Sequence, residues 1–353
     1  MSASAQGCQP LSPFTYDLPR ERIAQRPVHP PESARLLVVD RSSGAIHHDV
    51  FSSIGSFLRS GDHLVFNDTK VMPARLFGCL EQQPDASIEV LLVEQQGASR
   101  WTCLARPLKK VKAAGHVRFG AHLRGTVIDS EHIDRVVLEF SAVGSDRATA
   151  DLIREHGTMP IPPYIRAGHG DEQDLTDYQS IFARIEGSIA APTASLHFSE
   201  ALMRRLKTEA ECQVSRVTLH VGTASFQPII VDGMLRAPAQ ERFDVSPEAL
   251  CAIELTKSQG GRVIAIGTTV TRALETVAAH RGHGLAGKTE LFIQPGHSFQ
   301  LVDALVTNFH QPGTTHLLLV EALLGKELLQ RCYEEALKEG YRFLSYGDGM
   351  MIV

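Results

Sequence analysis

The 353-residue sequence has no run of about 18 apolar residues, so it offers no candidate membrane-spanning helix. Its first fifteen residues, MSASAQGCQPLSPFT, have neither a basic start nor an apolar core, and read as a loose tail rather than a signal peptide. Cysteine is scarce and scattered. Cys8, Cys79, Cys103, Cys212, Cys251 and Cys332 form no C-x-x-C pair, and a chain of this length needs no disulfide staples. Free thiols and a cytoplasmic location are therefore expected. The sixteen histidines include no H-E-x-x-H, so no metal site is expected. Repeats and low-complexity segments are also missing.

Acidic residues are absent from one stretch in particular. The formal net charge is −5, which by itself disfavours a polyanionic partner. Between Gln95 and Ile128, however, there is no Asp or Glu, whereas Arg100, Arg106, Lys109, Lys110, Lys112, Arg118 and Arg124 are basic, with His116 and His122 among them. An acidic protein with one locally basic segment can present a face to RNA. Arg106, Lys109, Lys110 and Lys112 are the candidate RNA contacts.

What is present is an ordinary globular composition, 43% hydrophobic and 21% charged, at a length that suggests two domains. LLVVD (Leu36 to Asp40) and DHLVFN (Asp62 to Asn67) read as buried strands, and Val50 to Arg59 has helical spacing. From Ala74 to Ser141 the texture changes to short β-rich runs: RLFGCL, SIEVLLVEQ, RWTCLARP, HVRFG, LRGTVID and RVVLEFS. Gly, Pro and Asp separate them with no helix-period segment between, the pattern of a small antiparallel barrel. Helix–strand alternation then returns. Helices are expected at 148–156, 199–210, 246–259, 314–324 and 326–338, and strands at VTLHV (Val217 to Val221) and RVIAIG (Arg262 to Gly267). The expected fold class is α/β: a large, barrel-like α/β domain, residues 1–73 and 149–353, with a small antiparallel β-barrel inserted at 74–148.

Four segments carry polar groups where a core would not. RVIAIGTTVTRALE ends a buried strand at Gly267 and opens a helix at Thr268-Thr269, with Arg272 one turn on. Free N–H groups at a helix start attract an anion, although a simple capping threonine is as natural a reading. IAAPTASLHF (Ile189 to Phe198) brings Pro192, Thr193, Ser195 and His197 together before a helix; His can act as a base, but a lone His is more often structural. TNFHQPG (Thr307 to Gly313) breaks between an apolar strand and an apolar helix, where α/β domains place ligands, and SYGDGMM (Ser345 to Met351) ends the chain with Asp348 in a polar turn. Gly282, Gly284 and Gly287 (GHGLAG) match a dinucleotide fingerprint only formally. They follow a helix and precede the expected strand LFI, so a loop is expected there.

Taken in order, these segments resemble the S-adenosylmethionine:tRNA ribosyltransferase-isomerase family of queuosine biosynthesis. The resemblance rests on YDLPRERIAQRPVHPPESARLLVVDRSSGAIHHDVF, GDHLVFNDTKVMPARLFG, MPIPPYI, YQSIFA, IAAPTASLHF, VTLHVG, RVIAIGTTVTRALE, ELFIQPG, LVDALVTNFH and FLSYGDGMMI, and covers about residues 16 to 353. It implies an α/β domain with an inserted β-barrel. It also implies transfer and isomerisation of the ribosyl portion of S-adenosylmethionine onto the aminomethyl group of a deazaguanine at the tRNA wobble position. Adenine and methionine leave, and epoxyqueuosine-tRNA is formed. The implied partners are tRNA and S-adenosylmethionine, the latter as ribosyl donor; no metal, other cofactor or membrane is implied, and a monomer is expected.

Such chemistry needs a base for the acidified 5′ C–H beside the sulfonium, a neutral attacking amine, and a proton for departing adenine. On the family motifs the candidate acids and bases are Asp68, His197, Glu241, His310 and Asp348. The candidate binding groups are Asn67, Thr69, Arg75, Pro192, Thr193, Gly222, Gly267, Thr268, Thr269, Arg272 and Asn308. The chain departs from the family pattern at several points. Ser195 replaces the glycine of APTAGLHF, VGTASF (Val221 to Phe226) replaces VGAGTF, PAQE (Pro238 to Glu241) replaces MHSE, and NFHQPGTT replaces NFHLPKST with loss of a lysine. A side chain in place of glycine would narrow the site. Two alternatives therefore stay open: a paralogue that cleaves S-adenosylmethionine for another acceptor, and a catalytically silent RNA-binding homologue.

Overall fold

The computed structural model describes residues 14–222, 230–231, 234–235, 237–280 and 284–353. Its regular elements begin with the hairpin β1 (Arg35–Val39) and β2 (Ile46–Val50), then β3 (His63–Asn67) and β4 (Thr69–Val71). There follow β5 (Arg75–Leu80), β6 (Gln83–Gln95), β7 (Arg100–Arg106), α1 (Leu108–Ala114), β8 (His116–Phe119), β9 (Leu123–Asp129) and β10 (Val136–Ala142). Next come α2 (Thr149–His156), β11 (Gly157–Thr158), α3 (Asp174–Asp177), β12 (Ile185–Ser188), α4 (Glu200–Glu209), β13 (Gln213–Leu219) and the minimal ribbon β14 (Ile230–Val231) and β15 (Met234–Leu235). The remainder is β16 (Glu241–Asp244), α5 (Pro247–Ser258), β17 (Val263–Ile266), α6 (Thr268–Ala279), β18 (Ala286–Thr289), β19 (Ala304–Asn308), α7 (Thr315–Leu324), α8 (Lys326–Lys338) and β20 (Gly349–Ile352).

Nine strands form one mixed sheet in the order β18-β16-β13-β3-β17-β19-β20-β1-β2. Its central strands read as unbroken apolar runs because both faces are covered. Along β17, Val263 and Ala265 enter one core, and Ile264 and Ile266 enter the other. The period-2 split repeats at Leu37 and Val39 against Leu36 and Val38, and at Leu305 against Ala304 and Val306. Helices α5, α6, α7 and α8 cover the first face through residues such as Ile253, Leu274, Val320 and Tyr333. Helix α4 and a 3₁₀ turn at Phe51–Phe57 cover the second through Leu202, Leu206, Phe51 and Ile54. Side-chain caps set three helix starts: Ser199 accepts from the Leu202 N–H at 3.0 Å, Ser246 from Ala249 at 3.1 Å and Thr314 from Leu317 at 3.4 Å.

Strands β5, β6, β7, β10, β9 and β8 pair in that order and close through β5 with β8, making an antiparallel barrel filled by Leu76, Val90, Cys103, Phe119, Leu138 and their neighbours. The expected α/β class with an inserted β-barrel is borne out; ring closure belongs to the inserted barrel, while β18 and β2 remain the edges of the large sheet. Where the chain leaves the barrel, Gly157 passes so near Pro73 that a Cβ would stand 1.9 Å from its carbonyl oxygen, so only glycine fits.

Three local expectations are corrected. Helix α1 interrupts the β-rich stretch; it buries only Val111 against the barrel core, too little to leave a helical period in seven residues. The helical spacing at Val50 to Arg59 becomes the 3₁₀ turn at Phe51–Phe57 rather than an α-helix. The strand expected at LFI lies instead at β18, pairing with β16 as a mostly exposed edge whose side chains show no apolar alternation. Leu291 and Ile293 follow it without strand pairing and pack onto the large core.

Candidate functional site

Strands β3, β17 and β19 are adjacent and mutually parallel, so Asn67, Gly267 and Asn308 arrive together at their C-terminal ends. That is the edge at which open α/β sheets bind ligands. A cavity opens there. It is lined by Pro192, Thr193, Gly267, Thr268, Thr269, Asn308 and His310 among the expected residues, and by Tyr164, Tyr178, His316 and Ser345, which were not expected.

Gly267 makes the turn from β17 into α6 with φ +98°, a conformation that L side chains rarely adopt. A Cβ would meet only ordinary contacts, 3.6 Å from Ala194, so the dihedral rather than crowding demands glycine. With no side chain at this cap, the first N–H groups of α6 lack a side-chain acceptor among the described residues and open toward the cavity rim formed by Thr268 and Thr269.

Asn308 is the crossroads of the opposite wall. Its carbonyl accepts the Thr193 hydroxyl at 2.8 Å, and its amide donates to the Leu344 carbonyl at 3.2 Å and to His197 Nε2 at 3.3 Å. His197 therefore accepts through Nε2. It lies behind Asn308, buried and stacked on Phe51 with ring centroids 4.6 Å apart, and does not line the cavity. Burial, helped by Arg342, pushes its pKa down to about 3, so the ring is neutral at physiological pH.

His310 does face the cavity. Its Nε2 meets the Thr307 hydroxyl at 2.7 Å, its N–H donates to the Tyr333 hydroxyl at 2.9 Å, and its carbonyl accepts from Tyr16. Its ring stacks on His316 at 5.2 Å and 19°. Burial and then the neighbouring His316 hold His310 well below its ordinary pKa; burial and then Arg272 lower His316 to about 4. His316 stands in the first turn of α7, just after the Thr314 cap, which was its only signal in the sequence.

The remaining candidates lie outside this cavity. Asp68 accepts two Arg184 N–H groups at 3.0 and 2.8 Å and the Thr218 hydroxyl at 2.6 Å. Asn67 is fully engaged: it donates to the Leu219 carbonyl and Thr269 and accepts from the N–H groups of Thr69 and Leu219. Thr69 bonds Ser188 at 2.7 Å and His220 at 2.8 Å. Glu241 pairs with Arg272 and accepts the Gly222 N–H at 2.9 Å. Asp348 accepts the Arg35 N–H at 3.0 Å and the Arg342 N–H at 2.8 Å, tying the chain end to the first strand. Each of these carboxylates already accepts two or three protein hydrogen bonds, which leaves part of its about four lone-pair sites open.

Ser195 is buried in the 3₁₀ turn Thr193–His197 and does not line the cavity, whereas Gln311 and Thr314 from the altered NFHQPGTT segment do. Gln240 is exposed and bonds Glu290. Thr223, Ala224, Ser225, Phe226 and Gly282 lie outside the described residues.

In the barrel, the acid-free stretch meets acids from neighbouring strands. Arg100 pairs with Glu139 at 3.1 Å and Arg124 with Glu81, so sequence separation did not keep them unpaired. Lys112 is spent on the Ser130 carbonyl at 2.8 Å and that of His132. Arg106, Lys109 and Lys110 are exposed and have no ion-pair partner among the described residues. Arg75 pairs with Glu89 at 3.1 Å and donates to the carbonyls of Ile161 and Gly168, so it joins the barrel to the 157–169 loop, away from the strand-end cavity. Among the described residues, no group of three or more His, Cys, Asp and Glu could hold a metal ion, and no helix is long and apolar enough to cross a membrane.

A family model described as queuosine biosynthesis protein matches residues 11–352. The chain is 45% identical over 347 residues to the S-adenosylmethionine:tRNA ribosyltransferase-isomerase of Symbiobacterium thermophilum, covering 97% of this chain and 99% of that one. It is 42% identical to the enzyme of the same name from Heliobacterium modesticaldum, covering 96% and 98%. The crystal structure of an S-adenosylmethionine tRNA ribosyltransferase from Thermotoga maritima is similar with TM-score 0.54 and 35% identity, over 96% of this chain and 99% of that one.

Proposed function

The chain belongs to the queuosine biosynthesis protein family, and from that premise we propose that it is an S-adenosylmethionine:tRNA ribosyltransferase-isomerase. On this reading it moves and isomerises the ribosyl portion of S-adenosylmethionine onto the aminomethyl group of a deazaguanine at the tRNA wobble position. Adenine and methionine leave, and no metal or further cofactor takes part. The protein works in the cytoplasm, where tRNA is, as a monomer.

The observation that carries the reading is the strand-end cavity with its stacked, neutral imidazoles, His310 and His316. A sulfonium acidifies the adjacent 5′ C–H, and a base beside it must keep a free lone pair at neutral pH. Both rings meet that requirement, and His316 makes no hydrogen bond among the described residues that would occupy its nitrogens. We assign His316 as the base and His310, held by Thr307, as the ring that orients it. The imidazolium so formed can then return its proton to departing adenine. The start of α6 with Thr268 and Thr269 suits the methionine carboxylate, and Thr193 and Asn308 suit the ribosyl hydroxyls.

The test is adenine release, followed by chromatography, from S-adenosylmethionine and tRNA bearing the aminomethyl deazaguanine. Wild-type protein releases adenine only when that tRNA is present. His316→Phe keeps the ring stack but has no lone pair, and lowers kcat by about 10² or more. No adenine from the wild type with a verified substrate tRNA sinks the reaction; near-normal kcat in His316→Phe sinks the assignment of the base.

A further inference from the structure

A second cavity, of about 410 Å³, separates the outer face of the barrel from the 157–169 loop. Along β5 and β6, Leu76 and Val90 point into the barrel core, so Phe77, Glu89 and Leu91 point outward into this cleft. Pro162, Pro163 and His169 form the facing wall. Phe77 is 41% exposed, unusual for so large an apolar ring, and among the described residues its one ring neighbour is His169, stacked at 6.2 Å and 20°. Arg106 stands on the rim with no ion-pair partner among the described residues, and Lys109 and Lys110 continue from it along α1. The two acids of the cleft are both neutralised: Glu89 by Arg75 at 3.1 Å and Asp134 by Arg135 at 3.0 Å. The net free charge of the cleft and its rim is therefore positive.

The loop is a partition between two sites. Its Tyr164 lines the strand-end cavity, whereas Pro162 and Pro163 just before it line the cleft. We propose that the cleft is a nucleotide subsite of the RNA acceptor. In it an unpaired base beside the modified one stacks on Phe77 and His169, and its phosphate meets Arg106. The proposal rests on the tRNA reading above. A flat aromatic platform next to a lone guanidinium is what an unstacked loop nucleotide requires, and stacking tolerates any base. Placing a neighbouring nucleotide on the far side of the 157–169 loop would leave the acceptor base at the Tyr164 side, facing the donor cavity.

The test uses the full-length protein, a fluorescent anticodon stem-loop RNA and the variants Phe77→Ala, Phe77→Trp and Arg106→Ala. Phe77→Ala should weaken binding about 10-fold or more, as loss of one base–aromatic stack does, and Phe77→Trp should restore it. The KM for tRNA should rise by a similar factor while the KM for S-adenosylmethionine and the melting temperature stay unchanged. Arg106→Ala should lower the salt slope of binding by about one, and Phe77→Ala should leave that slope alone. Stem-loop binding by Phe77→Ala within twofold of wild type overturns the subsite, whether or not the wild type releases adenine. Failure of adenine release with intact, Phe77-dependent stem-loop binding overturns the reaction instead and leaves the subsite standing.

Discussion

Asn308 shows how a single side chain can organise a wall of the site. Its amide hydrogen-bonds the cavity wall to His197, which the sequence motif suggested as a direct participant. The geometry favours a positioning role: His197 accepts from Asn308 and fixes the amide so that Thr193 can donate to its oxygen. Removing His197 leaves a buried donor unpaired and a hole beside Phe51. His197→Ala should therefore cost about 2–4 kcal/mol of stability as well as turnover. His197→Gln, which keeps an acceptor, should recover more kcat than His197→Ala when both are compared per folded molecule. Equal kcat loss in the two variants, with unchanged melting temperatures, would return His197 to direct proton transfer.

At the level of elements, two short helical features govern ligand access. The turn into α6 depends on Gly267, and Gly267→Ala should destabilise the protein by about 1–2 kcal/mol through its φ of +98°. The same change should raise the KM for S-adenosylmethionine, because the N–H groups of Thr268 and Thr269 would shift. A melting curve like that of the wild type would show that the turn tolerates a side chain. Helix α1 divides its lysines by role. Lys109 and Lys110 are exposed and without ion pairs among the described residues, whereas Lys112 donates to the carbonyls of Ser130 and His132. The double variant Lys109→Ala with Lys110→Ala should lower the salt slope of tRNA binding by about two, and Lys112→Ala by nearly nothing. The reverse result would place the RNA backbone on the other side of the helix.

For the whole molecule, His197, His310 and His316, whose surroundings disfavour their charged forms, predict a response to acid. His197 and His316 have folded pKa values of about 3 and about 4, and His310 lies well below its ordinary value. All three are lowered relative to an unfolded value near 6.5, so above that pH neither state binds the extra proton and stability is at its full level. As the pH falls below about 6.5, the unfolded chain takes up protons that the folded chain refuses. Stability should then drop by up to about 1.4 kcal/mol per pH unit for each histidine, until the folded values are reached. Urea midpoints at pH 7, 6 and 5 measure this, and His316→Phe should make the decline shallower. A flat profile from pH 6.5 to 5 would mean that these rings are solvated enough to titrate normally.

Local sequence was enough to determine the strands and most helices, since LLVVD, VIAI and ALVTN are apolar on both faces and the caps Ser199, Ser246 and Thr314 are local signals. The cavity-lining role of Pro192, Thr193, Gly267, Thr268, Thr269, Asn308 and His310 was also legible, because all stand at strand ends or helix starts. Tertiary structure decided the rest. It turned Asp68, Glu241 and Asp348 inward onto Arg184, Arg272 and Arg342, and paired Arg100 and Arg124 with acids 39 and 43 residues away. It also set His316 against His310, and Phe77 against His169. Periodicity and capping act over a few residues and can be read along the chain. Charge neutralisation and ring stacking depend on which distant strands the sheet and barrel bring within a few ångströms, and only the folded chain supplies that.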